Sequence, residues 1–219
     1  MKLLHLDASA RSASLSRRVA AELVAAMRGP GLEYCYRDLA ADPVPHISEA
    51  WTEICDNLMR DGITELDRLQ EGARTLEQRA AWSTVEPLLA ELVAADVILL
   101  ATPMYNYSVP SALKAWIDQV TFPHMSLGDR RFVIVAVRGG RYAPGTPKEH
   151  VEHQTRYLSD FVQGHFSVAE PEIVAVDLAN ARVDPLLADH RRAHDASLEA
   201  ALERAREVGS RLSDAWCSR

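Results

Sequence analysis

Cysteine is scarce in this chain: three residues in 219, Cys35, Cys55 and Cys217, odd in number and without a C-x-x-C pair. That pattern offers neither a disulfide framework nor a zinc site and fits a reducing cytoplasm. Long hydrophobic runs are missing too. The apolar stretches fall well short of the ~18 residues a membrane span needs, and no basic segment leading into an apolar core opens the chain. A soluble, intracellular protein without membrane contact is expected. Positive charge is in deficit: 24 Lys and Arg against 31 Asp and Glu leave a net charge of −7, which disfavours a nucleic-acid surface. Neither GxxxxGK[ST] nor GxGxxG occurs, so a nucleotide P-loop and a Rossmann dinucleotide turn are excluded.

What remains is an ordinary globular composition, 47% hydrophobic and 25% charged, in a chain long enough to bury a sheet between two helix layers. One domain over residues 1–219 is expected. Strand-like runs occur at Lys2–Asp7, Leu32–Leu39, Val97–Ala101, Arg131–Val137 and Glu172–Leu178. The second is the most polar and belongs near a sheet edge. Helical periodicity marks Ser16–Arg28, stopped by Gly29-Pro30-Gly31, then Glu49–Leu69, Leu76–Ala95, Val109–Val120, Lys148–Gly164 and Asp189–Trp216. In Leu76–Ala95, Thr84 reads as a cap and Pro87 as a first-turn residue. Alternating strands and helices predict an α/β fold with a doubly wound, five-stranded parallel sheet in the order 2-1-3-4-5. The helical segment at about 48–81 exceeds what one crossover needs and reads as a subunit contact, a lid or a surface excursion.

In such a sheet, ligands sit where loops leave the carboxyl ends of the strands. Three of those loops carry chemistry. After the first strand, ASARSASLSR is small, polar and cationic. Ser9, Ser12, Ser14 and Ser16 can surround an anion at a helix start, with Arg11 or Arg17 for balancing charge; a plain helix cap by Ser14 or Ser16 is the competing reading. After the third strand, Pro103, Met104, Tyr105, Asn106 and Tyr107 form an aromatic, amide-bearing loop. After the fourth, Arg138, Gly139, Gly140 and Tyr142 form a turn in which paired glycines permit φ > 0 and close backbone approach. A phosphate anchor, a ring-framing loop and a donor turn together suit flavin mononucleotide. His5 reads as a hydrogen-bonded strand histidine. His190 and His194 have helical metal-ligand spacing, but Arg191 stands where a metalloprotease needs glutamate, so both read as a solvated face and no metal is expected.

With these residues in place, the chain resembles the FMN-dependent NAD(P)H:quinone oxidoreductases of the bacterial azoreductase type. Pro103-Met104-Tyr105-Asn106-Tyr107, Val109-Pro110, Leu113-Lys114 and Trp116-Ile117-Asp118 match its signature, as do Ser9-x-Arg11-x-x-Ser14-x-Ser16 and Arg138-Gly139-Gly140-x-Tyr142. The resemblance implies a flavodoxin-like fold, FMN bound at a homodimer interface, and ping-pong turnover. NADH or NADPH passes hydride to flavin N5, and a quinone or azo compound then takes two electrons. Ser9, Arg11, Ser14 and Ser16 would hold phosphate, Met104, Tyr105, Asn106 and Tyr107 would frame the ring, and Gly139 and Gly140 would face its pyrimidine end, with Pro103, Arg138 and Tyr142 in the same cofactor-binding loops. No catalytic side chain is implied, because the cofactor carries the chemistry. Three positions depart from the family: Val137 replaces a frequent serine, Thr121–Asp129 is short, with Phe122 or His124 as stand-ins for aromatic substrate contacts, and Trp51–Ala80 is long. The alternatives are a flavodoxin-type one-electron carrier and a flavin-less interaction domain.

Overall fold

A computed structural model describes residues 1–27, 29 and 31–218. Its sheet runs β1 (Lys2–Asp7), β2 (Glu33–Asp38), β3 (Val97–Pro103), β4 (Arg131–Val137) and β5 (Glu172–Val176), in the spatial order β2-β1-β3-β4-β5. Every pairing is parallel, with Leu3 opposite Val97 and Val97 opposite Arg131. β3 and β4 read as continuous apolar runs because both of their faces are covered. Period-two alternation sorts the side chains into two cores. Leu4, Leu6, Ile98, Leu100, Phe132 and Ile134 face α2 (Glu49–Asp61), α3 (Leu76–Ala94), α4 (Ser111–Val120) and α5 (Gln154–Phe166). Leu3, Val97, Leu99, Val133 and Val135 face α1 (Leu15–Met27) and α6 (Arg191–Cys217). β2 is the partly exposed edge its polarity predicts. α1 and α6 pack so closely that a Cβ on Gly209 would lie 2.5 Å from the Leu23 carbonyl oxygen.

Several boundaries differ from the sequence reading. α2 ends at Asp61 rather than Leu69, because Gly62 takes φ 67° and its amide closes on the Leu58 and Met59 carbonyls. Thr84 caps nothing. Thr75 begins α3 in a reciprocal capping box with Gln78, and Pro87 lies inside the helix. α5 starts at Gln154 after a short 3-10 turn at Glu149–Val151, and β5 stops before Leu178, which has φ 60°. The expected stop of the first helix falls partly on Arg28 and Pro30, outside the described residues. The segment at 48–81 joins the core: Trp51, Ile54, Leu58 and Leu69 are buried, and Trp51 Nε1 donates to the Gln119 carbonyl at 3.3 Å. Among the described residues no helix is long and apolar enough to cross a membrane.

Candidate functional site

The loops after β1, β3 and β4 emerge side by side, because those strands are consecutive in the sheet. Ser14 precedes α1 and caps it, its Oγ accepting from the Arg17 amide at 3.3 Å and lying 3.0 Å from Ser16 Oγ. Ser9 and Ser16 are buried, and Ser9 Oγ accepts from the Arg11 amide at 3.2 Å. Within the described residues the amides of Leu15 and Ser16 have no partner, as the first turn of a helix requires. The cap reading therefore holds, and it leaves the anion reading open: the turn is capped, yet donors remain. The two arginines differ. Arg11 is exposed and its guanidinium has no hydrogen bond or ion pair among the described residues, whereas Arg17 is engaged throughout by Asp7, Asp38, Tyr36 and backbone oxygens.

The loop after β3 is a tight hairpin. Tyr105 and Ser108 exchange backbone hydrogen bonds of 3.0 Å, and Asn106 (φ 49°) and Tyr107 (φ 69°) are both left-handed. Two such residues in succession make a type I′ turn, which asparagine tolerates and tyrosine adopts at a cost of about 1 kcal/mol. The surroundings hold it there. The Met104 amide donates to the Val137 carbonyl at 2.7 Å, the His153 amide to the Tyr107 carbonyl at 3.1 Å, and buried Gln154 donates to the Thr102 carbonyl at 3.1 Å. Tyr107 meets Tyr142 edge-on with centroids 6.4 Å apart.

The turn after β4 uses its glycines for space rather than for positive φ, since neither Gly139 nor Gly140 has one. A Cβ on Gly139 would lie 2.6 Å from Asn180 Nδ2, and one on Gly140 would lie 3.3 Å from the Tyr142 ring. The carbonyls of Arg138, Gly139 and Gly140 accept from the Ala179, Asn180 and Leu178 amides, while the amides of Gly139 and Gly140 have no partner among the described residues. The turn thus keeps its donors available. The Arg138 side chain points elsewhere: it is buried, bonds Thr155 Oγ1 at 3.2 Å, and lies 3.8 Å from Glu152 and 3.6 Å from Asp177. Burial raises the Asp177 pKa against the pull of Arg138. Burial works the same way on Glu152, but its hydrogen bonds from Thr155 and the charge of Arg138 bring that carboxyl below its ordinary value. Tyr142 is raised by burial and by Tyr107.

Met104, Tyr105, Asn106, Tyr107, Gly139, Gly140 and Tyr142 line one cleft of about 850 Å³, within the range of small-molecule sites. Pro103 ends β3 behind it, and Ser9, Arg11, Ser14 and Ser16 occupy the neighbouring loop rather than the lining. The far wall, Leu178, Asn180, Leu187 and His190, was not apparent in the sequence, although a loop leaving the last strand's carboxyl end is itself a signal. Buried Gln154, which fixes the aromatic loop from behind, has no such signal. His190 is exposed on the cleft, but His194 is 1% exposed and donates Nδ1 to the Asp177 carbonyl at 3.0 Å, so the solvated-face reading fails for it. Phe122 packs between Trp51 and Trp82 in the core, and neither Phe122 nor His124 lines the cleft. No residue of 48–81 lines it either. His5 bonds the Tyr34 hydroxyl at 2.8 Å, as a strand histidine should. Among the described residues no group of three or more His, Cys, Asp or Glu could hold a metal ion.

A parallel sheet of this order with a cleft at its carboxyl edge defines a flavodoxin-like protein. A family model described as "Flavodoxin-like fold" matches residues 1–207, and the chain belongs to that family. It is 58% identical over 209 residues to the FMN-dependent NADH:quinone oxidoreductase of Nocardia farcinica, covering 94% of this chain and 97% of the relative. A relative of the same name from Frankia alni is 37% identical, over 90% and 93% of the two chains. Among solved structures, an FMN-dependent NADH-azoreductase from Bacillus anthracis in complex with FMN has a TM-score of 0.76 at 19% identity, covering 97% of this chain and all of that one. At that identity the likeness concerns the fold.

Proposed function

We propose that the protein is an FMN-dependent NADH:quinone oxidoreductase, transferring two electrons from reduced nicotinamide to quinones and also reducing azo compounds. The observation that carries this reading is the convergence of the three loops on the carboxyl edge of the sheet, each with unsatisfied donors or aromatic surface. The residues fit FMN. A capped helix start with spare amides, hydroxyls and a free guanidinium at Arg11 suits a phosphomonoester dianion. The open Gly139 and Gly140 amides suit the carbonyl-rich end of a flavin, where donors favour the electron-rich ring. Tyr105, Tyr107 and the strained turn beneath them give a planar, apolar frame. When bound, FMN supplies the hydride chemistry that no side chain provides.

The chain's own residues then position and select. The cleft lining contains Arg141, Lys148 and His190 but no carboxylate, although the chain carries a net charge of −7. Such a local excess attracts an anionic dinucleotide. Tyr105 and Tyr107 stay exposed at the cleft, which suits closure by a second copy; we place the enzyme as a homodimer in the cytoplasm, with residues 1–219 acting as one FMN-binding unit and 48–81 as a buttress. The test is to mix purified protein with FMN, NADH and benzoquinone. NADH should be consumed with stoichiometric quinone reduction far above the flavin-only rate. A rate equal to that control would overturn the reductase and favour a one-electron carrier or a binding domain.

A further inference from the structure

Among the described residues Arg17 is the most heavily used cation, and its geometry sets it apart from a phosphate ligand. A guanidinium has five N–H donors. Five acceptors surround them here, four by hydrogen bond and one by ion pair. Nε donates to the Arg11 carbonyl at 3.2 Å, Nη1 to Asp7 Oδ2 at 2.9 Å and to the Tyr36 hydroxyl at 2.7 Å, and Nη2 to the Ser9 carbonyl at 3.0 Å, while Nη2 also ion-pairs with Asp38 Oδ2 at 2.8 Å. The acceptors are themselves fixed. The Tyr36 hydroxyl donates on to Asp7 at 2.8 Å, and Asp38 Oδ1 accepts from the Ala40 and Ala41 amides at 3.0 and 3.2 Å. Asp7 is 2% exposed at the end of β1. Two carboxylates and a tyrosine from β1 and β2 therefore hold one edge of the guanidinium, and the other edge grips two carbonyls of the loop that carries Ser9 and Arg11.

We infer that Arg17 is a positioning residue for the phosphate turn: anchored on Asp7, Asp38 and Tyr36, it clamps the Ser9 and Arg11 carbonyls and so turns the loop's hydroxyls and amides toward a phosphomonoester. The inference rests on the FMN reading and adds to it a division of labour between two arginines. Arg11 is left to meet the anion, while Arg17 is committed to its five acceptors. A planar fork with fixed spacing is needed for five simultaneous contacts, and a lysine ammonium with three donors does not reproduce them.

The test compares FMN with riboflavin, which has the same ring and no phosphate, by fluorescence quenching on reversibly deflavinated enzyme. In Arg17→Lys and Arg17→Met the Kd for FMN should rise at least tenfold while the Kd for riboflavin stays within twofold, and Asp38→Asn, which removes one anchor from a partly exposed site, should raise it about three- to tenfold. Arg17→Lys binding FMN like the wild type would overturn the clamp in favour of a simple charge effect. Equal losses for FMN and riboflavin would overturn it in favour of general loss of structure. Should Arg17→Met fail to fold, Arg17→Lys and Asp38→Asn decide alone, and no FMN-selective loss in either rejects the proposal. Wild-type enzyme that binds neither flavin would reject the FMN reading itself, and the clamp with it.

Discussion

The two halves of the candidate site are held in opposite ways. On the β1 side, the turn is fixed by side chains: a network of two carboxylates, a tyrosine and Arg17 holds the loop's own carbonyls. On the β3 and β4 side, the frame is fixed chiefly by backbone: left-handed Asn106 and Tyr107, a hydrogen-bonded hairpin, and a glycine turn pressed against Asn180, with the Gln154 side chain bracing it at the Thr102 carbonyl. The first half presents a few polar donors at one point, as a compact charged group requires. The second half spreads an open aromatic surface over a cleft, as a flat ring and a succession of substrates require. A site built this way can grip one end of a cofactor tightly and leave the other reachable.

Mutations should separate these halves through phosphate selectivity. The largest effect is expected for Ser14→Ala with Ser16→Ala, which removes two hydroxyls from the proposed anion site and the α1 cap together. Charge-assisted hydrogen bonds are worth about 1.5–3 kcal/mol each, so FMN affinity should fall roughly a hundredfold in a titration while riboflavin affinity stays near the wild-type value. Gly139→Ala should behave differently. The new methyl displaces the Asn180 side chain beside the cleft, costing about 1 kcal/mol in calorimetry and weakening FMN and riboflavin equally; Asn180→Ala in the same chain should restore both.

A third comparison isolates the strained turn. Tyr107→Gly and Tyr107→Ala both delete the ring, but only glycine accepts φ 69° freely, so the glycine variant should be the more stable by about 1 kcal/mol in denaturant unfolding. The reverse order would remove the strain argument. The smallest effect belongs to the rim of the cleft. Arg141→Gln with Lys148→Gln should raise the KM for NADH severalfold at low salt and progressively less as ionic strength screens the wild-type advantage, seen in initial rates across a salt series.

Much of this arrangement was legible in the residues. Continuous apolar runs at Val97–Ala101 and Arg131–Val137 are diagnostic of strands buried on both faces, and the polarity of Leu32–Leu39 marked the edge. The three loops were found because ligand-like composition coincided with strand ends. What escaped has common physical causes. The helix stop at Gly62 was overridden by the apolar spacing of Ile63, Leu66 and Leu69, which continues through a non-helical segment because those residues still face the core. His194 is buried by a tertiary contact with the Asp177 carbonyl, and Asn180 reaches Gly139 across strands; neither contact has a local pattern. The roles of Arg11 and Arg17 could not be divided from the sequence, because the acceptors that occupy Arg17 come from β1 and β2 only after the sheet forms.

A crystal structure of the protein with FMN tests the central claim most directly, that one half of the site grips phosphate and the other frames the ring. The account predicts the phosphate within hydrogen-bond reach of Ser14, Ser16 and Arg11, the ring between the Tyr105–Tyr107 turn and Gly139–Gly140, and Arg17 still on Asp7, Asp38 and the Ser9 carbonyl. A phosphate bound outside that turn, or Arg17 swung away from its carboxylates to meet it, would contradict the account.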